Sequence, residues 1–143
     1  MIIYTIGFTQ TSAESFFTRL TRSGAQRIID VRRANVSQLA GFAKRDDLRF
    51  FVRTICAMDY VHVPELSPTR EILDAYRRTG DWGEYERAFL GLMRAREIEK
   101  TIAPALIGDG CLLCSERTPD RCHRRLVADY LASHWGDTTI VHL

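Results

Sequence analysis

CLLCSERTPDRCHRRLVADYL, residues 111–131, decides how the chain folds. Gly110 to Ser115 is a short apolar run bounded by glycine on one side and charge on the other, which reads as a buried strand. A polar turn follows. Arg121 to His134 then carries Leu126, Val127, Tyr130 and Leu131 on one helical face. Beyond it, TTIVHL (Thr138 to Leu143) reads as another strand. Strand, helix, strand in this order is a crossover unit, and such units build parallel sheets.

The same alternation runs back through the chain. Ile2 to Ile6 and Arg27 to Val31 read as strands, separated by a helix with Phe16, Phe17 and Leu20 on its apolar face and a Ser23-Gly24 stop. Thr11 to Glu14 fits a capping box, with Thr11 as the cap. A helix opens at Asp46-Asp47, and Tyr60 to Val63 is the third strand. Thr69 and Asp81 open two further helices, the first stopped by Gly80 and the second presenting Tyr85, Phe89, Leu92 and Met93. Pro104 and Gly108-Asp109-Gly110 break the chain before the fourth strand. The expected fold is a three-layer α/β/α domain, Rossmann-like and doubly wound, with about five mostly parallel strands.

A chain of 143 residues with no linker or repeat is expected to form a single domain spanning 1–143, with a core that needs no metal or disulfide to hold it. Net charge is +2, too small to imply nucleic acid. No apolar stretch approaches membrane-spanning length, and the start lacks a basic, then apolar, leader pattern. The expected location is the cytoplasm, where Cys56, Cys111, Cys114 and Cys122 are thiols, metal ligands or small buried residues.

In a sheet of this kind ligands bind beyond the carboxyl ends of the strands. That rule gathers Gly7, Asp30, Arg32, His62, Cys114 and Glu116, with Cys122, His123 and Arg124 at the start of the following helix. Cys111 and Cys114 have metal-knuckle spacing, but strand alternation sends them to opposite faces. Cys114 instead meets a helix N-terminus and Arg117, Arg121 and Arg124, surroundings that favour a thiolate. His123 is placed for proton transfer. If zinc is the cofactor, Cys114, Cys122 and His123 are its ligands, with His62 a candidate fourth. Asp30 and Arg32 either orient a polar ligand or brace loops against each other. Gly7 allows close backbone approach. Phe42 and Trp82 either stack on a ring or cover the core.

TIGF near the start, IIDVRR, the SxxxGF-like stretch Ser37 to Phe42, YVHVPEL, DWGEYE, LLCSE, CHRRLVADYL and the closing VHL together resemble the family called domain of unknown function 488. The resemblance covers essentially the whole chain. It implies a compact bacterial α/β domain and, position by position, Gly7, Asp30, Arg32, Cys114, Glu116, Cys122, His123 and Arg124 as site residues. The family commonly has His where this chain has Phe8, so a first-loop histidine base is not expected here.

The expected function is therefore an anion-binding, thiol-dependent enzyme. Cys114 would be the nucleophile, His123 the proton carrier, Arg32 and Arg124 the anion holders, and Glu116 or Asp30 the orienting carboxylate. Two alternatives stand beside it: a non-catalytic nucleotide- or nucleic-acid-binding module, and a structural zinc domain. A small anionic ligand is the expected partner.

Overall fold

Ile2–Gly7 (β1) is an interior strand of the sheet, with Ile3 buried on one face and Tyr4 and Ile6 on the other. In the computed structural model, which describes residues 1–36 and 40–143, it is followed by α1 (Ala13–Ser23), β2 (Arg27–Asp30), α2 (Arg45–Cys56) and β3 (Asp59–His62). Four helices come next: α3 (Arg70–Thr79), α4 (Trp82–Arg96), and the single turns α5 (Ile98–Thr101) and α6 (Pro104–Ile107). β4 (Gly110–Cys114), α7 (His123–Trp135) and β5 (Thr139–His142) complete the chain. The five strands are parallel, in the order β3-β2-β4-β1-β5. The expected α/β sheet is thus present, with β4 inserted between β1 and β2.

Connection direction explains the three layers. The chain steps one way across the sheet through α1 and α2, then the other way through α3–α6 and α7. With crossovers of one hand, reversing direction moves the helices to the other face. Phe16, Phe17, Leu20, Leu48 and Val52 of α1 and α2 pack with Ile6, Ile28, Cys111 and Leu113. Phe89 and Met93 of α4 and Leu126, Val127 and Leu131 of α7 pack with Ile3, Ile29, Leu112 and Cys114. β4 alternates cleanly between the two cores, so Cys111 and Cys114 do face opposite ways.

Local chemistry shifts several expected boundaries. Ser12, not Thr11, caps α1: its Oγ accepts from the Ser15 amide, while the Thr11 hydroxyl donates to the Thr9 carbonyl. α2 begins at Arg45, with Asp46 and Asp47 in its first turn near the positive end of the helix dipole. α7 begins at His123 rather than Arg121, because Cys122 is extended. Thr69 and Asp81 cap α3 and α4 as expected. Pro104 opens α6 at a position where its missing N–H costs nothing. Of the SxxxGF-like stretch, Ser37, Gln38 and Leu39 lie outside the described residues. Phe42 packs on Phe16 and Phe17, the core-covering role.

Candidate functional site

β4 ends at Cys114, paired with Gly7 of β1, and Leu113 is paired with Asp30 of β2. The chain leaves β1 and β2 toward one face and β4 toward the other. The carboxyl end of β4 is therefore flanked on both sides by a reversal of direction, where open sheets form their crevice.

The loop from Ser115 to Cys122 folds back over this point. The Thr9 amide donates to the Ser115 carbonyl at 2.9 Å, and Arg124 Nη1 donates to the Glu116 carbonyl at 2.7 Å. The Glu116 carbonyl sits so close over Gly7 that a Cβ there would lie 1.6 Å from its oxygen. Gly7 is glycine because of that approach, not for an unusual dihedral.

The fold brings Cys114, Cys122 and His123 together. All three are buried, and one donor atom from each lies within 4.8 Å of the others. Cys114 Sγ is 3.4 Å from His123 Nδ1, and His123 Nε2 is 2.6 Å from the Val31 carbonyl. A carbonyl only accepts, so Nε2 carries its proton and Nδ1 is left to face the sulfur. Hydrogen bonding from the Cys122 thiol holds the Cys114 thiol well below its ordinary pKa, against the opposing pull of burial. The adjacent His123 charge and the Glu116 amide act in the same direction. Burial lowers the His123 pKa, but the Cys114 charge and the hydrogen bonds to Cys114 and Val31 outweigh it, and the net shift is upward. Burial and the neighbouring Cys114 push the Cys122 thiol up. The shifts of Cys114 and His123 run in the direction of a thiolate–imidazolium pair, and that of Cys122 toward a neutral thiol beside it. The same three atoms form a soft donor set of the kind that holds zinc. His62 is not among them: its Nε2 is 2.7 Å from the Arg32 carbonyl.

The cluster opens into a cleft of about 610 Å³. Arg32, Arg33, Arg70, Arg77 and Arg121 line it against one carboxylate, Glu116, and α3–α4 supply an aromatic wall of Tyr76, Trp82 and Tyr85. Trp82 stacks on Tyr85 at 4.9 Å between ring centroids. Arg32 is nearly buried and fixed by Asp30. Its Nη1 is the one buried side-chain nitrogen or oxygen without a hydrogen-bond partner among the described residues. Phe8 lies under the guanidinium, 5.2 Å from ring centroid to Cζ.

The Asp30 carboxylate accepts from the Arg32 amide and guanidinium, from Asn35 and from Tyr60. Burial works to raise its pKa, but Arg32 and Tyr60 outweigh that and hold the carboxyl below its ordinary range. Asp30 thus orients Arg32 and stays out of the cleft. Arg124 also stays out: its guanidinium bonds Glu116 and Thr5 beneath the loop and braces the segment carrying Cys114.

Residues 12–131 match the family model described as Domain of unknown function DUF488. The chain belongs to the DUF488 family. Neither the curated proteins nor the solved structures contain a match. In this DUF488 domain the residues that sequence reasoning missed are Asn35 and Tyr60, which complete the Asp30 network, and Arg70, Tyr76, Arg77 and Tyr85 in the cleft wall. Arg70 and Arg77 are seven apart on one helix and so share a face. That spacing was the available signal. No helix among the described residues is long and apolar enough to cross a membrane.

Proposed function

We propose that this DUF488 domain is a thiol-dependent enzyme acting on a small anionic substrate. Cys114 is the nucleophile. His123 stabilises its thiolate and gives a proton to the leaving group, and Cys122 and the Glu116 amide hold the sulfur's negative charge. Arg32, fixed by Asp30, and the arginines of the cleft attract and seat the anion. The observation that carries the reading is the Cys114–His123 pair at the base of a cleft with five arginines and one carboxylate. Activated cysteines occur in such electropositive, partly enclosed surroundings.

The test is a screen of anionic disulfides and of phosphate and sulfur esters against the wild-type chain and Cys114→Ser. The variant should keep the wild-type unfolding curve and lose all turnover. Full turnover in Cys114→Ser overturns the reading. Metal content is measured on the same samples. One tightly held zinc per chain, with Cys114 and Cys122 protected until chelation, would turn the cluster into a metal centre.

The stacked Trp82–Tyr85 wall favours a second reading, a non-catalytic module that holds a nucleotide between this wall and the arginines. It predicts binding that weakens steeply with salt and survives Cys114→Ser.

A further inference from the structure

Cys122 is chemically surplus to a simple cysteine–histidine pair. It need not be a cysteine to start α7, and its side chain makes no capping bond to the helix. Yet its sulfur faces the Cys114 sulfur, in a cluster where all donor atoms are within 4.8 Å, and both cysteines line the same cleft. Neither is bonded to another cysteine. Cys111, three residues before Cys114, points into the opposite core and cannot take this part.

We propose that Cys114 and Cys122 are a dithiol pair that reduces small carboxylate-bearing disulfides, with Cys114 attacking and Cys122 resolving. The inference rests on Cys114 being the nucleophile. The Cys114 thiolate attacks one sulfur of the substrate, forming a mixed disulfide and breaking the substrate S–S bond. The released thiolate takes the proton from His123 Nδ1 and departs as a thiol. Neutral His123 then accepts the Cys122 proton. The Cys122 thiolate attacks Cys114 Sγ, forming the Cys114–Cys122 disulfide and expelling the second thiolate, which takes that proton from His123. Two cysteine sulfurs are oxidised, one disulfide is reduced to two thiols, and both protons are accounted for. Two equivalents of an external monothiol, or one of a dithiol, return the pair to its reduced form and are themselves oxidised to a disulfide.

The substrate class follows from the walls. A disulfide of carboxylate-bearing thiols presents negative charge on both sides of its S–S bond, and the arginines lie around the sulfur cluster. Arg32 Nη1, buried and without a hydrogen-bond partner among the described residues, is the donor left over for a carboxylate. A cationic disulfide of similar size meets the same sulfur against an opposing field.

The experiment uses the full chain in a Cys56→Ser background, which removes the half-exposed thiol elsewhere in the molecule. The reduced protein is treated with oxidised glutathione, then analysed by intact mass, free-thiol count and peptide mapping. The expected result is loss of two of the three remaining thiols, no retained adduct, and a Cys114–Cys122 cross-link. Adding Cys122→Ser should instead trap a stable glutathione adduct on Cys114. Cystamine, a cationic disulfide, should react at least tenfold more slowly, and the difference should shrink with added salt. A stable Cys114 adduct in a chain that retains Cys122 overturns the resolving role while leaving Cys114 the nucleophile. A chain that forms no Cys114–Cys122 cross-link, and whose Cys122→Ser variant takes no adduct on Cys114, overturns both readings.

Discussion

Asp30 grips Arg32 at two points: Nε donates to Oδ1 at 2.9 Å and Nη2 to Oδ2 at 2.8 Å, both groups buried. The geometry leaves Nη1 as the nitrogen of the guanidinium with no hydrogen-bond partner among the described residues. Removing one partner of such a pair strands the other charge away from water, which typically costs about 3–5 kcal/mol. Asp30→Asn should destabilise the domain by that amount in urea unfolding. Arg32→Met in the same chain should recover part of the loss, because it removes the stranded cation. A single variant within about 0.5 kcal/mol of wild type, the usual range for a surface change, would mean the pair is not buried as described.

The same pair sets an acid limit. The folded-state pKa of Asp30 is held below its ordinary value. A group depressed in this way contributes stability that is complete above the unfolded pKa of about 3.9 and is lost as pH falls through the folded value. Wild type should therefore lose stability more steeply than Asp30→Asn below about pH 4. The two curves should converge at the acid end. Parallel curves across that range would remove Asp30 as the cause.

Gly7→Ala tests the crossing of loop and strand. The new methyl would land on the Glu116 carbonyl, which is backbone and is itself held by Arg124. Overpacking of this kind costs about 1–3 kcal/mol. The strain falls on the loop that positions the Cys114 sulfur. Thermal unfolding should show the loss, and the labelling rate of Cys114 should fall with it. An unchanged rate in a destabilised variant would separate the loop from the thiol.

Charge in the cleft is read by comparing two alkylating agents of similar size. Iodoacetate is anionic and iodoacetamide neutral. With the Cys114 pKa lowered, both should label it at neutral pH, and the acetate-to-amide rate ratio should exceed that of free cysteine. Arg70→Ala with Arg77→Ala should lower the ratio several-fold. Stability should change by less than about 0.5 kcal/mol, since both arginines are exposed and their contacts with Asp74 are exposed pairs. Raising salt should lower the wild-type ratio toward the variant's. A ratio indifferent to both would place the field elsewhere.

Cys114, Asp30 and His123 were legible in the sequence because strand ends and helix starts are local signals, and the parallel-sheet rule puts them on one rim. The opposite facing of Cys111 and Cys114 followed from strand alternation alone. Strand order was not legible: nothing local says that β4 lies between β1 and β2. Arg124 was misplaced for a related reason. It looked like a ligand arginine because it opens a helix, but the Glu116 carbonyl above it comes from the loop after β4 and Thr5 beneath it from β1. The aromatic wall was hidden because Tyr76, Trp82 and Tyr85 read equally well as core. Only the docking of α3 and α4 opens one side of that cluster to a cleft.

The position of β4 has a consequence in time. β1 and β2 share no ladder, and each pairs with β4 on the side facing the other. As the chain is synthesised, both are made long before residues 110–114, and a slot between them stays open until that segment arrives. Cys114 sits at the end of the segment that fills the slot, and the loop closing over it passes close above Gly7 and is held from Thr9 and Arg124 only afterwards. Such long-range closure is slow compared with local helix formation. An emerging polypeptide therefore carries an ordinary cysteine at this position. The cysteine–histidine cluster comes into being only when this gap in the sheet shuts, so, on the proposal that Cys114 is the nucleophile, its labelling reports that closure.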